Sequence, residues 1–229
     1  MATAIIQARM GSTRLPGKTL KLISGRPLLA WVLESVWSLP FVQTVIVATT
    51  FLNEDDPIAD YCKDHLIACF RGDPFNVMSR FSAIATTLPS DEQIIRVTAD
   101  NPFYWTEKCC NLYYIHLGSS NDYTAVSGLS HIVCEAMRAS ALVRLAFEKD
   151  LTEYDKEHVT PYFRDHPEKY KVQELTPSLL GLDLRTNQRL TIDTFEDYER
   201  IKRLVDVFDM NAEKDFSRLL SFFETDVSE

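Results

Sequence analysis

The chain has 229 residues, of which 45% are hydrophobic, 11% aromatic and 25% charged. This composition is that of an ordinary globular protein and excludes disordered, collagen-like and coiled-coil chains. At about 150 residues per domain, the length suits one large domain or two small ones. A chain of this size needs neither disulfides nor structural metals to bury a core.

The charge balance is acidic, with 24 Lys and Arg against 33 Asp and Glu and a formal net charge of −9. The overall field therefore repels phosphate, and we expect no nucleic-acid partner and no binding to an anionic membrane. Any anion that the protein binds must be held by a local basic cluster.

The five cysteines stand at positions 62, 69, 109, 110 and 134, without a Cys-x-x-Cys pair. This odd number favours reduced thiols and argues against a disulfide framework or a zinc site. No apolar run approaches the ~18 residues of a membrane span, and the first residues do not resemble a signal peptide. We expect a cytoplasmic protein whose cysteines are structural.

In the first half, short apolar runs alternate with helical patterns. The pattern predicts strands over 4–8, 44–49, 66–70 and 93–98, and helices over 27–39, 55–64 and 75–88. Strands that alternate with helices form βαβ units. The sequence therefore predicts a three-layer α/β/α fold with a mostly parallel twisted sheet.

The second half is less regular. It predicts a strand over 123–126, a helix over 135–149, a helix that begins near Asp155, β-rich segments over 170–175 and 189–192, and closing helices over 195–208 and 212–223. There is no internal repeat and no Pro/Gly/Ser linker. We expect a single domain over 1–229, with an irregular β-containing extension at about 120–190.

The loop after the first predicted strand is basic in an otherwise acidic chain. Between residues 8 and 18 it holds three cations, two glycines and two hydroxyl side chains: Arg9, Gly11, Ser12, Thr13, Arg14, Gly17 and Lys18. Ligands of open α/β sheets bind at the carboxyl ends of strands, and free backbone N–H groups with cations form a nest for polyphosphate. The alternative is a solvated basic turn.

Two familiar phosphate-binding motifs do not fit this loop. A Walker loop has four residues between its first Gly and the Gly-Lys pair, whereas five separate Gly11 from Gly17, and Pro16 removes a backbone donor. The dinucleotide fingerprint G-x-G-x-x-G is absent.

Residues 5–18, IIQARMGSTRLPGK, closely resemble the signature of the cytidylyltransferases of the spore coat polysaccharide biosynthesis protein F type. These are relatives of the synthetases that make CMP-activated 3-deoxy-manno-octulosonate (Kdo) and sialic acids. Four further segments resemble the family's motifs in the same order: 71–81, 96–102 (RVTADNP), 157–162 (EHVTPY) and 190–197 (LTIDTFED).

The resemblance implies a nucleotide-diphospho-sugar transferase-like fold and a metal-dependent nucleotidyl transfer. A hydroxyl of a sugar acid, nonulosonic or Kdo-like, would attack the α-phosphate of CTP and release pyrophosphate, for surface glycan synthesis. Such a displacement needs positioning and charge neutralisation. The resemblance also implies a homodimer, with the extension at about 120–190 serving sugar binding and dimerisation.

The resemblance further implies which residues bind the nucleotide. We expect Arg14 and Lys18 to face the β- and γ-phosphates and to act in catalysis with Asp100. The remaining nucleotide-binding candidates are Ala8, Arg9, Gly11, Ser12, Arg71, Gly72 and Asp73. The last three follow the third predicted strand, which we expect beside the first, and would lie near the base and ribose. Arg80 lies nearby or is an ordinary helix residue.

Asp100 and Asp193 are the candidate ligands for Mg²⁺ or Mn²⁺, since each ends a β-rich run and hard cations prefer carboxylates. Asp100 is otherwise a turn residue before Pro102. Asp193 is otherwise the N-cap of the closing helices, a role that Thr194 could equally take.

The sugar-binding candidates are Gly128 and His158, and His158 is otherwise a structural histidine. Two positions depart from the family. Asn101 stands where relatives often have Cys, and 128–132 reads GLSHI where relatives tend to read G-L-D-V-E. The missing acidic pair indicates either a different acceptor or a non-catalytic nucleotide-binding module.

Another alternative is a sugar-phosphate nucleotidyltransferase that uses a different NTP, because the loop grips phosphates and says little about the base. A glycosyltransferase is disfavoured, since such enzymes usually carry D-x-D and this chain has none.

Overall fold

The computed structural model describes residues 1–182 and 190–207. In this part of the chain the strands are β1 Ala2–Gln7, β2 Leu22–Ile23, β3 Arg26–Pro27, β4 Val42–Thr50, β5 Ala68–Gly72, β6 Gln93–Thr98, β7 Tyr123–Val126, β8 Glu135–Arg138 and β9 Val172–Leu175. The helices are α1 Leu28–Trp37, α2 Asp56–Asp64, α3 Val77–Ala85, α4 Thr106–Ser119, α5 Ala139–Leu145, α6 Glu153–His158, α7 Pro161–Asp165 and α8 Phe195–Val207.

Seven strands form one sheet in the order β5-β4-β1-β6-β8-β7-β9, and β2 and β3 form a separate hairpin. The first four strands in that order are parallel, β8 is antiparallel to both of its neighbours, and β9 is parallel to β7. The predicted, mostly parallel sheet is therefore confirmed. The chain changes direction across the sheet between β5 and β6, so β1 and β6 flank the point at which ligands bind in such folds.

The two faces of the sheet bury separate cores, because successive side chains of a strand point to opposite faces. Ala4 and Ile6 of β1 pack into the core that contains α1, α2, α4 and α8. Ile5 packs into the core that contains α3, α5 and α7. The architecture is thus helices, sheet, helices, as predicted.

The predicted helix over 135–149 is wrong at its beginning. Its first four residues form β8, which is hydrogen-bonded between β6 and β7, and only Ala139–Leu145 is helical. Pairing with two strands outweighed the local helical pattern. Residues 190–192, predicted as β-rich, are not in a strand. Arg189 and the predicted helix over 212–223 lie outside the described residues.

The third predicted strand is not beside the first, because β4 lies between β5 and β1 and β5 forms an edge of the sheet. Helix α4 was not predicted, although its buried positions have helical spacing: Cys109, Leu112, Tyr113 and His116. No described helix is long and apolar enough to cross a bilayer.

Candidate nucleotide and acceptor site

The basic loop after β1 is folded back on itself. The carbonyl oxygen of Met10 accepts hydrogen bonds from Ser12 N at 2.8 Å and from Gly17 N at 3.0 Å. Gly17 has a φ of +72°, which favours glycine, and it leads into a 3-10 turn over Lys18–Leu20. The loop therefore holds its cations on a turn that is closed by backbone hydrogen bonds.

Asp55, which sequence reasoning treated only as an acidic residue at the start of a helix, anchors this loop. The side chain is fully buried. One of its carboxylate oxygens accepts from Met10 N at 2.6 Å, and the other accepts from the hydroxyl of Thr50. A buried carboxylate with two donors fixes the loop against the end of β4, and nothing in the sequence pattern indicated that contact.

Lys18 joins the loop to both predicted metal ligands. Its Nζ lies 2.8 Å from Oδ2 of Asp100, 3.0 Å from Oδ1 of Asp193 and 2.7 Å from the carbonyl oxygen of Ile192. Arg14 reaches the same Oδ1 of Asp193 at 3.0 Å. Three residues predicted to act in catalysis and the second predicted metal ligand thus meet at one point.

The two aspartates are brought together by the backbone, since Ile192 N donates to the carbonyl oxygen of Asp100 at 3.0 Å. Asp193 does not cap α8. Thr194 does, because its Oγ1 accepts from Asp197 N at 3.2 Å and Asp197 Oδ2 accepts from Thr194 N at 2.9 Å. This reciprocal pair is a capping box, and it leaves the carboxylate of Asp193 to face Lys18.

These residues border a cavity of about 340 Å³ at the carboxyl ends of β1 and β6. The described residues that line it include five cationic side chains and three carboxylates, so this lining is net positive within a protein that is net negative: Arg9, Arg14, Lys18, Arg80 and Arg96 against Asp100, Glu157 and Asp193. We call it the basic cavity. A cavity of this size and charge fits a nucleoside triphosphate.

Of the other predicted nucleotide-binding residues, Ala8, Arg9 and Ser12 also line the basic cavity. Arg9 additionally faces Glu157 at 3.4 Å. Gly11 is not among the lining residues and lies beside Glu54, whose Oε1 would be 2.8 Å from an added Cβ.

Residues 71–73 do not line the basic cavity. Arg71 donates to the carbonyl oxygens of Thr50 and Leu52 and pairs with Asp56 at 2.6 Å. Asp73 accepts from Phe75 N at 2.7 Å in a turn. Because β5 is an edge strand, Arg71 and Asp73 support neighbouring loops and turns and are not part of the cavity lining.

Arg80 of α3 lines the cavity in their place. Its side chain is buried, and Nε and Nη1 have no hydrogen-bond partner among the described residues. Burial and the neighbouring charge of Arg9 lower its pKa to about 10. Gly72 makes room for it, since an added Cβ would lie 2.8 Å from Arg80 Cγ. The glycine is therefore required by the packing of Arg80.

A second cavity of about 330 Å³, here the acceptor cavity, adjoins the first. Arg96, Thr98 and His158 border both. The predicted sugar-binding residue Gly128, at a φ of +71°, lines the acceptor cavity with Asn101, Tyr104, Ser130, His131, Glu135, Tyr154, Thr160 and Arg164.

A largely buried ion pair lies beside the cavities, with Arg96 lining both and Glu135 on the floor of the acceptor cavity. Arg96 Nη1 lies 2.6 Å from Glu135 Oε2, and the other carboxylate oxygen accepts from Tyr123 and Thr160. Burial alone would raise the pKa of Glu135, but Arg96 and the Tyr123 hydroxyl outweigh it and lower the pKa. The carboxylate is thus ionised and already neutralised.

The two positions that depart from the family contact each other. Asn101 Nδ2 donates to the carbonyl oxygen of Ser130 at 3.1 Å, and both residues line the acceptor cavity. The change at position 101 therefore belongs to the same altered surface as residues 128–132.

Comparison with known proteins identifies the family to which this chain is similar. A family model described as cytidylyltransferase matches residues 3–224. The spore coat polysaccharide biosynthesis protein SpsF of Bacillus subtilis is 38% identical over 207 residues, covering 87% of this chain and 84% of that protein. The 3-deoxy-manno-octulosonate cytidylyltransferase of Acaryochloris marina is 33% identical over 106 residues, covering 45% of this chain and 42% of that protein.

Among solved structures, a cytidylyltransferase from Leptospira borgpetersenii superposes with a TM-score of 0.86 at 28% identity, covering 100% of this chain and 96% of that one. The resemblance found in the sequence is confirmed, and so is the fold of the nucleotide-diphospho-sugar transferases.

Proposed function

This chain belongs to the cytidylyltransferase family and is a nucleotidyltransferase, and from that premise we propose that it transfers CMP from CTP to a sugar acid and releases pyrophosphate. The observation that carries the proposal is the pair of adjoining cavities, one basic and one lined by polar and aromatic groups, which meet at Arg96, Thr98 and His158. Two substrates that react with each other need such a shared border.

The basic cavity supports the nucleotide half of the proposal. Arg14 and Lys18 line it, and they would bind the β- and γ-phosphates and stabilise the charge of the leaving pyrophosphate. Arg9 and Ser12 would contact the remaining phosphate oxygens. Because Lys18 is held by two carboxylates and a carbonyl, its ammonium is fixed before the substrate arrives.

The acceptor cavity supports an anionic sugar. Glu135 is its only carboxylate among the described lining residues, and Arg96 neutralises it. Arg164 makes no ion pair or hydrogen bond with a described residue and is left to face the cavity. The cavity is therefore net positive and would attract a carboxylate.

The residues present fit a divalent cation. The carboxylates of Asp100 and Asp193 both lie within 3.0 Å of one ammonium, and this closeness supports their sharing a cation. Mg²⁺ is usually held by one or two carboxylates together with substrate phosphates. When bound, such an ion would neutralise charge on the phosphates. The described residues hold no cluster of three or more candidate ligands.

In the proposed reaction the acceptor hydroxyl attacks the α-phosphorus of CTP, the bond from that phosphorus to the β-phosphate oxygen breaks, and pyrophosphate leaves. The chain binds, orients and neutralises, which supplies most of the catalysis in such transfers. The product would serve surface polysaccharide synthesis, as the name of SpsF says of that protein. The proposal includes a homodimer, which a light-scattering mass of one chain would contradict.

A screen of nucleotides against acceptors tests the proposal. Wild-type protein with Mg²⁺ is given CTP, UTP, GTP or ATP together with Kdo, N-acetylneuraminate or glucose 1-phosphate, and pyrophosphate is measured. We expect release only with CTP and an acidic sugar. Release with the sugar phosphate and another NTP would favour a sugar-phosphate nucleotidyltransferase, and CTP binding without release on any acceptor would favour a non-catalytic module.

A further inference from the structure

The residue after His158 has a strained backbone. Val159 has φ 68° and ψ −50°, and Thr160 N donates to the carbonyl oxygen of His158 at 2.8 Å. This is a γ-turn with positive φ, which is rare, and a β-branched residue is especially unfavourable there. Strain of this kind persists only where the surroundings enforce it, and it clusters at functional sites.

The turn fixes two neighbouring side chains. Thr160 is buried and donates to Glu135 at 3.2 Å, which ties the turn to the floor of the acceptor cavity. His158, the last residue of α6, is exposed and packs against the ring of Tyr154 at a centroid distance of 4.4 Å. The turn thereby presents the imidazole at the border of the two cavities.

His158 is also the proton acceptor that remains available at this border. Among the residues that the structure describes, four carboxylates line the two cavities, and each lies within 3.4 Å of a cation: Asp100 and Asp193 at Lys18, Glu157 at Arg9 and Glu135 at Arg96. Of the residues that border both cavities, Arg96 is a buried cation and Thr98 is not basic. The ring nitrogens of His158 make no hydrogen bond with a described residue.

We propose that His158 is the general base of the transfer. This role rests on the proposed function and assigns the proton transfer of that reaction to the imidazole. A ring nitrogen of His158 takes the proton of the acceptor hydroxyl, the oxygen forms its bond to the α-phosphorus, and the electron pair of the broken phosphorus–oxygen bond leaves with pyrophosphate. The imidazolium then returns the proton to water. Histidine is the side chain that most often does this work.

The charges around His158 come from several elements. Arg96 and Glu135 face it from β6 and β8, Glu157 precedes it on α6, and Arg164 lies on α7. Arg9, from the loop after β1, pairs with Glu157. Both acids among these groups are paired with a cation.

The test compares wild-type protein with His158→Gln, using His65→Gln on the exposed end of α2 as the matched control. Pyrophosphate release from CTP and Kdo or N-acetylneuraminate is followed from about pH 5 to pH 9. We expect His158→Gln to lower kcat by about 10²–10⁴-fold, to leave the Kd for CTP unchanged, and to remove the acidic limb of the rate profile. Added imidazole should restore part of the rate of His158→Ala.

Other results would overturn the inference. A His158→Gln protein with the wild-type kcat would show that His158 is not the general base. If, in addition, the KM for the acceptor rises, His158 is a binding residue. An acidic limb that persists in the variant would assign the titration to another group. If the wild-type protein releases no pyrophosphate with any acceptor, the proposed function fails and this inference fails with it, whereas an active His158→Gln protein removes this inference alone.

Discussion

The ammonium of Lys18 lies 2.8 Å from Oδ2 of Asp100, although 82 positions separate the two residues in the chain. The same ammonium lies 3.0 Å from Asp193, 175 positions away. One cation therefore joins the loop after β1, the end of β6 and the segment before α8. The relative positions of these three residues in the proposed site therefore depend on the contacts of Lys18.

Replacing Lys18 by Ala should remove the fixed cation that faces the leaving pyrophosphate and leave two carboxylates without it. We expect kcat for pyrophosphate release from CTP to fall by about 10²–10³-fold, as when one preorganised donor of a transition-state charge is lost. Lys63→Ala, on the exposed face of α2, is the control and should keep the wild-type rate. A Lys18→Ala protein that is as fast as the control would remove Lys18 from the site.

Replacing Arg164 by Ala should weaken binding of an acidic acceptor, because the acceptor cavity loses the cation that has no partner there. A charged hydrogen bond contributes about 1.5–3 kcal/mol, so we expect the KM for the sugar acid to rise by roughly 10- to 100-fold. The KM for CTP should not change.

Arg203→Ala on the exposed side of α8 is the control for this prediction. Equal increases in the KM for acceptor and for CTP would show that Arg164 supports the fold of the site and does not bind the acceptor.

Glu135→Gln should destabilise the protein, since it leaves Arg96 buried without its counter-charge. Breaking a buried pair in this way costs about 3–5 kcal/mol, and at about 2–4 °C per kcal/mol we expect Tm to fall by roughly 10 °C. Glu168→Gln on the surface should leave Tm unchanged. An equally small effect of Glu135→Gln would mean that water or a bound ion compensates Arg96.

The ion pair of Arg96 and Glu135 also makes the difference in Tm between the wild-type protein and Glu135→Gln depend on pH. Burial raises the pKa of Glu135, but Arg96 and the Tyr123 hydroxyl together lower it by more, so the folded pKa lies below the ordinary 4.5. The contribution of the ionised Glu135 to stability is then fully present above about pH 4.5 and is lost as the pH falls through the folded pKa. The gap in Tm between wild type and Glu135→Gln should therefore narrow in acid, and a gap that widens would contradict the assignment.

We expect His116 to make the free energy of unfolding depend on pH as well, at higher pH than Glu135 does. Its ring is buried between Thr124 Oγ1 and Gln93 Oε1, each at 2.8 Å. Burial, with a smaller effect of Arg138, lowers its pKa from 6.5 to about 4. The unfolded chain takes up the proton first, so stability is complete above about pH 6.5 and falls between pH 6.5 and 4.

His116→Gln cannot take up that proton and should give a flatter curve of unfolding free energy against pH in this window. Urea unfolding at several pH values measures the slope. His65→Gln, at an exposed histidine, should keep the wild-type slope. If both variants keep it, the acid sensitivity belongs to other groups.

The sequence by itself determined the fold class. It also identified the basic loop, Asp100 and Asp193 as candidate parts of one site. Apolar runs at strand and helix spacing predicted the alternation of β1, β4, β5 and β6 with α1, α2 and α3, because that spacing follows from backbone geometry and depends only on near neighbours. The short hairpin of β2 and β3 was not predicted. The loop motif over 5–18 was equally local. It placed Arg14 and Lys18 at a strand end, where the topology of an open sheet puts its ligands.

Tertiary structure alone decided the contacts between distant segments. It made 135–138 a strand because β6 and β7 were there to pair with it, and it put Arg80 at the cavity in place of Arg71 because β4 separates β5 from β1. It set Asp55 under the loop and Asn101 against Ser130. A hydrogen bond between remote residues leaves no periodic trace in the chain, since only the folded backbone brings its two ends together.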